Sequence, residues 1–338
     1  MTTDLQPGAP IFLVGATGTG KSATAMEVAR DSARAGVRMA VLCMDAMQVY
    51  RGADIGTSKP AAAERAEVPH GGLDLVDFNA SFDVAQYLRH AEAFLREQRE
   101  AGRRVIIVGG TGLYFRALTR GLCEAPQGSE ELRAELASLS VEKLRERLRA
   151  VDPEMLERLD ASNPRRLVRA IEVKEATGRS LHAWQEETPE PLVRNFTAFW
   201  IQREKVELEA RIEARVEAMF SQGWVEEVRG LVERYGLEAV RDFAGIGYRE
   251  IGEMIASCPA FAGPGQQVVR ATRTEEGTGA GPAPATLRKV KSDIVVATRQ
   301  YAKRQLTWFA REPNLQKVML TGDKPFSAAL RVAVPDLF

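Results

Sequence analysis

Eight consecutive residues, Gly15-Ala16-Thr17-Gly18-Thr19-Gly20-Lys21-Ser22, carry the most specific chemistry in the chain. They fit the pattern GxxxxGK[ST]. Glycines let a backbone wrap closely around a phosphate chain, so that successive N–H groups point inward at the start of a helix whose positive dipole end favours anions. Lys21 adds a point charge, and the Ser22 hydroxyl suits Mg²⁺. An apolar run at 11–14 precedes the motif and a helical pattern over 22–35 follows it, which is the context it requires. The pattern selects a di- or triphosphate. Alone, it leaves kinase, ATPase and transferase chemistry open.

Two further groups belong beside it. The run Met39–Met44 ends in Asp45, and the run 105–108 ends in Gly109-Gly110-Thr111. In an open α/β sheet the carboxyl ends of the strands face the ligand crevice. A phosphate loop, one carboxylate and one threonine should therefore converge at one sheet edge. On this placement alone, Asp45 could equally be the Mg²⁺ ligand of an ordinary NTPase.

The scaffold that must position these groups is legible in the first third of the chain. The runs at 11–14, Met39–Met44 and 105–108 are continuously apolar, as buried strands of a parallel sheet are. Helical patterns over 22–35 and Val84–Glu100 lie between them. The predicted fold is α/β: a P-loop NTPase-like parallel sheet core covered by helices. From 129 to 178 only helical periodicity remains, with Leu144, Leu148 and Val151 on one face, and Leu167, Val168 and Ile171 on a helix that starts at Asn163-Pro164. This reads as an all-helical insertion domain, 121–194. It separates a first part of the core (1–120) from a second (195–258 and 290–338), which carries a strand at 196–201 and helices at 204–220, Trp224–Tyr235, 246–256 and 292–309. Between 259 and 289 glycine and proline are frequent, which predicts a flexible loop.

Composition sets the outer bounds. Of 338 residues, 46 are Lys or Arg and 46 Asp or Glu, and 45% are hydrophobic. That excludes wholesale disorder and argues against a uniformly basic nucleic-acid coat. The zero net charge is a local cancellation: 287–311 holds seven basic residues and one acid, 163–180 five and two, 203–238 six and nine. The first two stretches suit RNA phosphates. Cys43, Cys123 and Cys258 form no CxxC pair, and no apolar stretch reaches 18 residues, so neither a disulfide framework nor a membrane span is expected, and the cytoplasm is. His70, His90 and His182 are isolated.

The rest of the motif set is Asp45-Ala46-Met47-Gln48-Val49-Tyr50-Arg51-Gly52-Ala53-Asp54-Ile55-Gly56-Thr57-Ser58-Lys59-Pro60, then Val68-Pro69-His70, then Gly109-Gly110-Thr111-Gly112-Leu113-Tyr114. Asn163-Pro164-Arg165-Arg166 with Arg169, Gly245-Ile246-Gly247-Tyr248-Arg249-Glu250, and Lys303-Arg304-Gln305 with Trp308-Phe309 follow. In this order the motifs resemble those of the tRNA dimethylallyltransferases, or isopentenyl-transferases, over about residues 10–258 and 290–312. The resemblance implies transfer of a dimethylallyl group from its diphosphate to N6 of the adenine just 3′ of the anticodon, with Mg²⁺ as cofactor and diphosphate leaving. It implies that the phosphate loop, Gly15 to Ser22, holds the allylic diphosphate together with Arg215, and that Ser22 ligates the metal. Asp45 then corresponds to the catalytic carboxylate and Thr111 to a residue of the reaction centre. The implied tRNA contacts are Asp45, Ala46, Met47, Gln48, Arg165, Arg166, Arg169, Gly245, Tyr248, Arg249, Lys303, Arg304, Gln305 and Trp308. The implied partners are dimethylallyl diphosphate and the anticodon stem-loop of tRNA, met by a monomer.

Three positions depart from the family pattern: Ala46 stands where Ser is usual, Gly71 where a second His is common, and Ala310 where Arg usually follows the Trp. Other readings are an adenylate isopentenyl-transferase acting on free AMP, ADP or ATP, a P-loop kinase of a small metabolite, and a tRNA-binding protein with a relic phosphate loop. The helical insertion and basic last helix disfavour the first, the Asp45–Pro60 block the second, and intact Lys21, Ser22 and Asp45 the third.

Overall fold

The continuous apolar runs become the centre of a parallel sheet. The computed structural model describes residues 9–187, 189–258 and 283–322. The chain divides into two units, Met1–Phe115 with Asn195–Phe338, and Arg116–Arg194. It begins with β1 (Ile11–Gly15), α1 (Lys21–Arg34), β2 (Met39–Met44), α2 (Ala62–Glu67), β3 (His70–Gly71), α3 (Val84–Glu100), β4 (Arg104–Gly109) and α4 (Gly112–Arg120). The second unit continues with α5 (Glu130–Ala137), α6 (Val141–Val151), α7 (Pro153–Arg158), α8 (Pro164–Thr177) and α9 (Leu181–Glu186). The chain then returns to the first unit in β5 (Thr197–Arg203), α10 (Lys205–Ser221), α11 (Trp224–Tyr235), α12 (Leu237–Asp242), α13 (Tyr248–Ser257), α14 (Pro284–Phe309) and β6 (Gln316–Leu320).

Among the described residues the sheet has six strands in the order β3-β2-β4-β1-β5-β6, and every pairing is parallel. Register aligns the functional strand ends: Val14 and Met44 both pair with Gly109. The phosphate loop, Asp45 and Gly110-Thr111 therefore leave the sheet at one edge. Ile11, Leu13, Val41, Ile106, Phe199 and Ile201 bury one sheet face against Ala25, Met26 and Ala29 of α1. A second core, of Trp224, Val228, Tyr248, Ile251 and Met254, joins α11, α12, α13 and α14. Ala16 of the phosphate loop packs with Leu208, Ile212 and Ala302, which seats the loop on α10 and α14.

The second unit has its own core, in which the stripes read from the sequence meet: Leu144 and Leu148 of α6 pack with Leu167, Ala170 and Ile171 of α8. Its helices start at side-chain caps, Ser129, Ser140, Asp152, Asn163 and Ser180, each accepting from a backbone N–H of the first turn.

Two expectations need correction. The last helix begins at Pro284, not near 292, so the end of the supposed 259–289 loop is helical. Proline at the first helical position is pre-set for a helix start, and Leu287 and Val290 pack on the second core, so packing outweighs local composition. The remainder of that expected loop, 259–282, lies outside the described residues. In addition α2, β3, α4, α9, α12 and β6 were not anticipated. β3 has two residues and β6 is a largely exposed edge strand, so neither carries an apolar run. No helix among the described residues is long and apolar enough to cross a membrane.

Candidate active site

The phosphate loop runs from the end of β1 into α1 with Gly18 and Gly20 at φ 83° and 96°, values that a side chain would strain. Gly15 is required for a different reason: a Cβ there would overlap the Ile201 carbonyl of β5. The loop is held from outside by arginines. Arg203 Nε donates to the Thr19 carbonyl at 2.9 Å, Arg211 Nε to the Gly18 carbonyl at 3.1 Å, and Arg215 Nη1 to Thr17 Oγ1 at 2.7 Å. Inside, Lys21 Nζ donates to the Ala16 carbonyl at 2.6 Å. Burial, reinforced by the Arg215 charge and partly offset by Asp45, pushes the Lys21 ammonium down to about 7. Burial likewise lowers Arg215, with Asp45 opposing. Two neighbouring basic groups, offset only in part by Asp45, make a site that suits a phosphate anion.

Asp45 and Thr111 meet as the strand order required. Thr111 Oγ1 accepts from the Ala46 N–H at 3.1 Å, and Asp45 Oδ1 accepts from the Met47 N–H at 2.8 Å, which leaves the second carboxylate oxygen without a role in that turn. The Ala46 contact is made by backbone, so the missing Ser hydroxyl does not undo it. Around Asp45 the phenols of Tyr87, Tyr114 and Tyr301 are pushed up, first by burial and further by the Asp45 charge. The buried Cys43 thiol is pushed up to about 12 for the same reasons. All four stay protonated near neutral pH.

Several residues expected to meet tRNA have other work here. Gln48 is buried, and its amide donates to the Thr57 and Ser58 carbonyls at 3.0 and 3.1 Å. Met47 packs on the second core. Tyr248 is 0% exposed and donates to Glu227 Oε1 at 2.8 Å, so it is a core residue and not a stacking surface. Gly245 and Gly247 give room to Phe243 and Trp224. Gln305 is buried and binds Thr17 and Gly110. In the second unit, Arg169 donates to the Ala125 and Pro126 carbonyls at 2.5 and 3.0 Å and to Glu172 at 2.8 Å. Arg165, Arg166, Arg249, Lys303 and Arg304 are exposed, and Trp308 is half-buried over Gly112, where a Cβ would overlap its indole. Gly71, the second departure from the family pattern, has the Phe94 ring 2.6 Å from its Cβ position, so no histidine fits there.

Three things were not read from the sequence. Glu227 of α11 accepts from the backbone N–H groups of Asp54, Ile55 and Gly56 at 2.9, 2.6 and 3.3 Å. Lys59, with a side chain 1% exposed, donates to the Tyr50 carbonyl and to Asp54 and Asp74. Together they fasten the segment that follows Asp45. Arg203 and Arg211 are the third; the spacing of Arg211 and Arg215 by four, beside apolar Leu208 and Ile212, was the available signal.

For a metal, no cluster of three His, Cys, Asp or Glu is present among the described residues. The donors that fit Mg²⁺ are the Ser22 hydroxyl, exposed at the start of α1, and the oxygens a diphosphate would bring.

Comparison with known proteins shows the family. Residues 48–312 match the family model described as IPP transferase. The tRNA dimethylallyltransferase of Methylacidiphilum infernorum is 42% identical over 304 residues, covering 90% of this chain and 83% of its own. That of Geobacter metallireducens is 39% identical over 312 residues, covering 90% of both. Among solved structures, the full-length tRNA isopentenylpyrophosphate transferase of Bacillus halodurans aligns with a TM-score of 0.62 at 28% identity, covering 98% of this chain and 97% of its own. A eukaryotic dimethylallyltransferase acting on tRNA aligns with a TM-score of 0.73 at 20% identity, covering 97% of this chain and 77% of its own, a likeness of fold. With a sheet edge that gathers a phosphate loop, a carboxylate and a threonine, and a chain matched along most of its length, this protein is a member of the IPP transferase family.

Proposed function

We propose that the protein transfers the dimethylallyl group of dimethylallyl diphosphate to N6 of the adenine immediately 3′ of the anticodon in tRNA. The observation that carries the reading is the meeting of the phosphate loop with Asp45 and Thr111 at one strand edge. The C1–O bond of the allylic diphosphate breaks as a bond from C1 to N6 forms. The charge that develops on the leaving diphosphate falls beside Lys21 and Arg215. The Asp45 carboxylate, steered by the Met47 N–H, accepts the N6 proton as the amine becomes bonded to carbon. Because Thr111 Oγ1 accepts from Ala46, its own hydrogen is free to point at a diphosphate oxygen or at the adenine. Bound Mg²⁺, held by Ser22 and the diphosphate, would neutralise charge on the leaving group.

The acceptor adenine must leave its stack to reach Asp45. Exposed Arg249, Lys303 and Arg304 offer phosphate contacts on the first unit, and Arg165 and Arg166 on the second. We read the protein as a cytoplasmic monomer.

The test is incubation with Mg²⁺, dimethylallyl diphosphate and an anticodon stem-loop carrying adenine at the target position, with AMP in competition. Modified stem-loop is expected and modified AMP is not. Product on AMP alone would make this an adenylate isopentenyl-transferase, and no product with several such tRNAs would overturn the reading.

A further inference from the structure

Gln305 lies on α14 between the exposed Lys303 and Arg304 and the half-buried Trp308, yet only 5% of it is exposed. Its amide is used at both ends. Oε1 accepts from the Thr17 N–H of the phosphate loop at 2.8 Å, and Nε2 donates to the Gly110 carbonyl at 2.9 Å. It fills a slot that only glycine at 110 leaves open, because a Cβ there would overlap Nε2 and lie 3.0 Å from the Gly15 carbonyl. Each end is one step from a reacting group. Thr17 receives Arg215 on its hydroxyl, and Gly110 precedes Thr111, whose hydroxyl holds the turn after Asp45.

The phosphate loop and the Asp45–Thr111 pair leave the sheet from different strands, and the Gln305 amide bonds to both the loop and the Gly110 turn. Alkyl transfer is sensitive to that separation, since the leaving oxygen, the carbon and the attacking nitrogen must fall in line. From these contacts we infer that Gln305 is a positioning residue for the transfer step: it sets the distance between the diphosphate cradle and the Asp45–Thr111 pair, and does not contact tRNA through its side chain. The inference rests on the dimethylallyl-transfer reading above.

The variants are Gln305→Met, which keeps the length and loses both bonds, and Gln305→Glu, which keeps an acceptor for Thr17 and loses the donor to Gly110. Misplacement by a fraction of an ångström to 1 Å should lower the single-turnover rate at saturating substrates about 10- to 100-fold for Gln305→Met, and less for Gln305→Glu. The Kd for the stem-loop should move less than about twofold, as expected of a residue that does not face the RNA. In a Thr111→Ala background, Gln305→Met should slow the reaction by less than about threefold, because the group it positions is already gone. A lower Tm with an unchanged rate per folded molecule would make Gln305 merely structural. Independent, multiplicative losses in the double variant, or a loss confined to stem-loop affinity, would also overturn the inference. If Gln305→Met does not fold, Gln305→Glu carries the same comparison. A wild-type protein that transfers nothing would instead sink the underlying function.

Discussion

Glu227 accepts four hydrogen bonds, and its removal has a calculable cost. It serves four donors: the N–H groups of Asp54, Ile55 and Gly56, and the hydroxyl of buried Tyr248. The Asp54 bond is exposed, so water replaces it at little cost. The Gly56 bond, at 3.3 Å, is weak. The Ile55 N–H and the Tyr248 hydroxyl remain, and each loses a charged acceptor in a region closed by Trp224. At about 1–2 kcal/mol for each group left without a partner, Glu227→Ala should cost about 2–4 kcal/mol. Tyr248→Phe removes one bond and leaves Glu227 to its backbone donors, and should cost about 1 kcal/mol. Urea unfolding followed by tryptophan fluorescence measures both, through the shift in midpoint at constant slope. A Glu227→Ala penalty below about 0.5 kcal/mol, or one no larger than that of Tyr248→Phe, would refute the reasoning that a charged side chain seals this loop.

Other consequences are sharp enough to measure. Asp45→Ala should lower the transfer rate about 10²- to 10⁴-fold with stem-loop affinity largely kept; filter binding beside a single-turnover assay separates the two. Lys21, at about 7, is mostly unprotonated at pH 8, and a diphosphate raises its pKa, so binding of inorganic diphosphate at pH 8 should take up a proton and strengthen as pH falls towards 7. Calorimetry in buffers of different ionisation enthalpy should show this uptake, reduced by close to one proton in Lys21→Met. Gly112→Ala must displace the Trp308 indole, with a stability loss of about 1–3 kcal/mol in thermal unfolding. Stem-loop affinity should fall steeply between 50 and 200 mM salt, by about tenfold or more if three or four phosphates are neutralised, and a flat titration would deny the basic residues a part in binding.

The reacting groups were more legible in the sequence than the residues that brace them. Lys21, Asp45 and Thr111 stand at the ends of apolar runs, and a parallel sheet has few ways to arrange such ends, so their convergence could be read without coordinates. Gln48, Tyr248 and Gln305 sit in motifs just as conspicuous, but a motif does not say whether a polar side chain faces solvent or turns inward to satisfy a backbone group. Arg169 shows the same ambiguity: in a basic stretch beside Arg165 and Arg166, it is spent on two carbonyls and Glu172. Pairings across more than a hundred positions, such as Glu227 with Asp54 to Gly56, leave no local pattern. Edge strand β6 lacked one because most of its residues meet water.

The bond between Thr17 and Gln305 joins positions 288 residues apart. At about 5–20 residues per second, a ribosome needs about 15–60 s to cover that interval. For all of it the phosphate loop has been made but lacks its clamp, and Arg203, Arg211 and Arg215 arrive only in the second half. The second unit, Arg116–Arg194, has a core of its own and can close while synthesis continues. A nascent chain therefore completes the helix that carries Arg165 and Arg166 before its phosphate loop is clamped, and the centre is assembled only as the last long helix clears the ribosome.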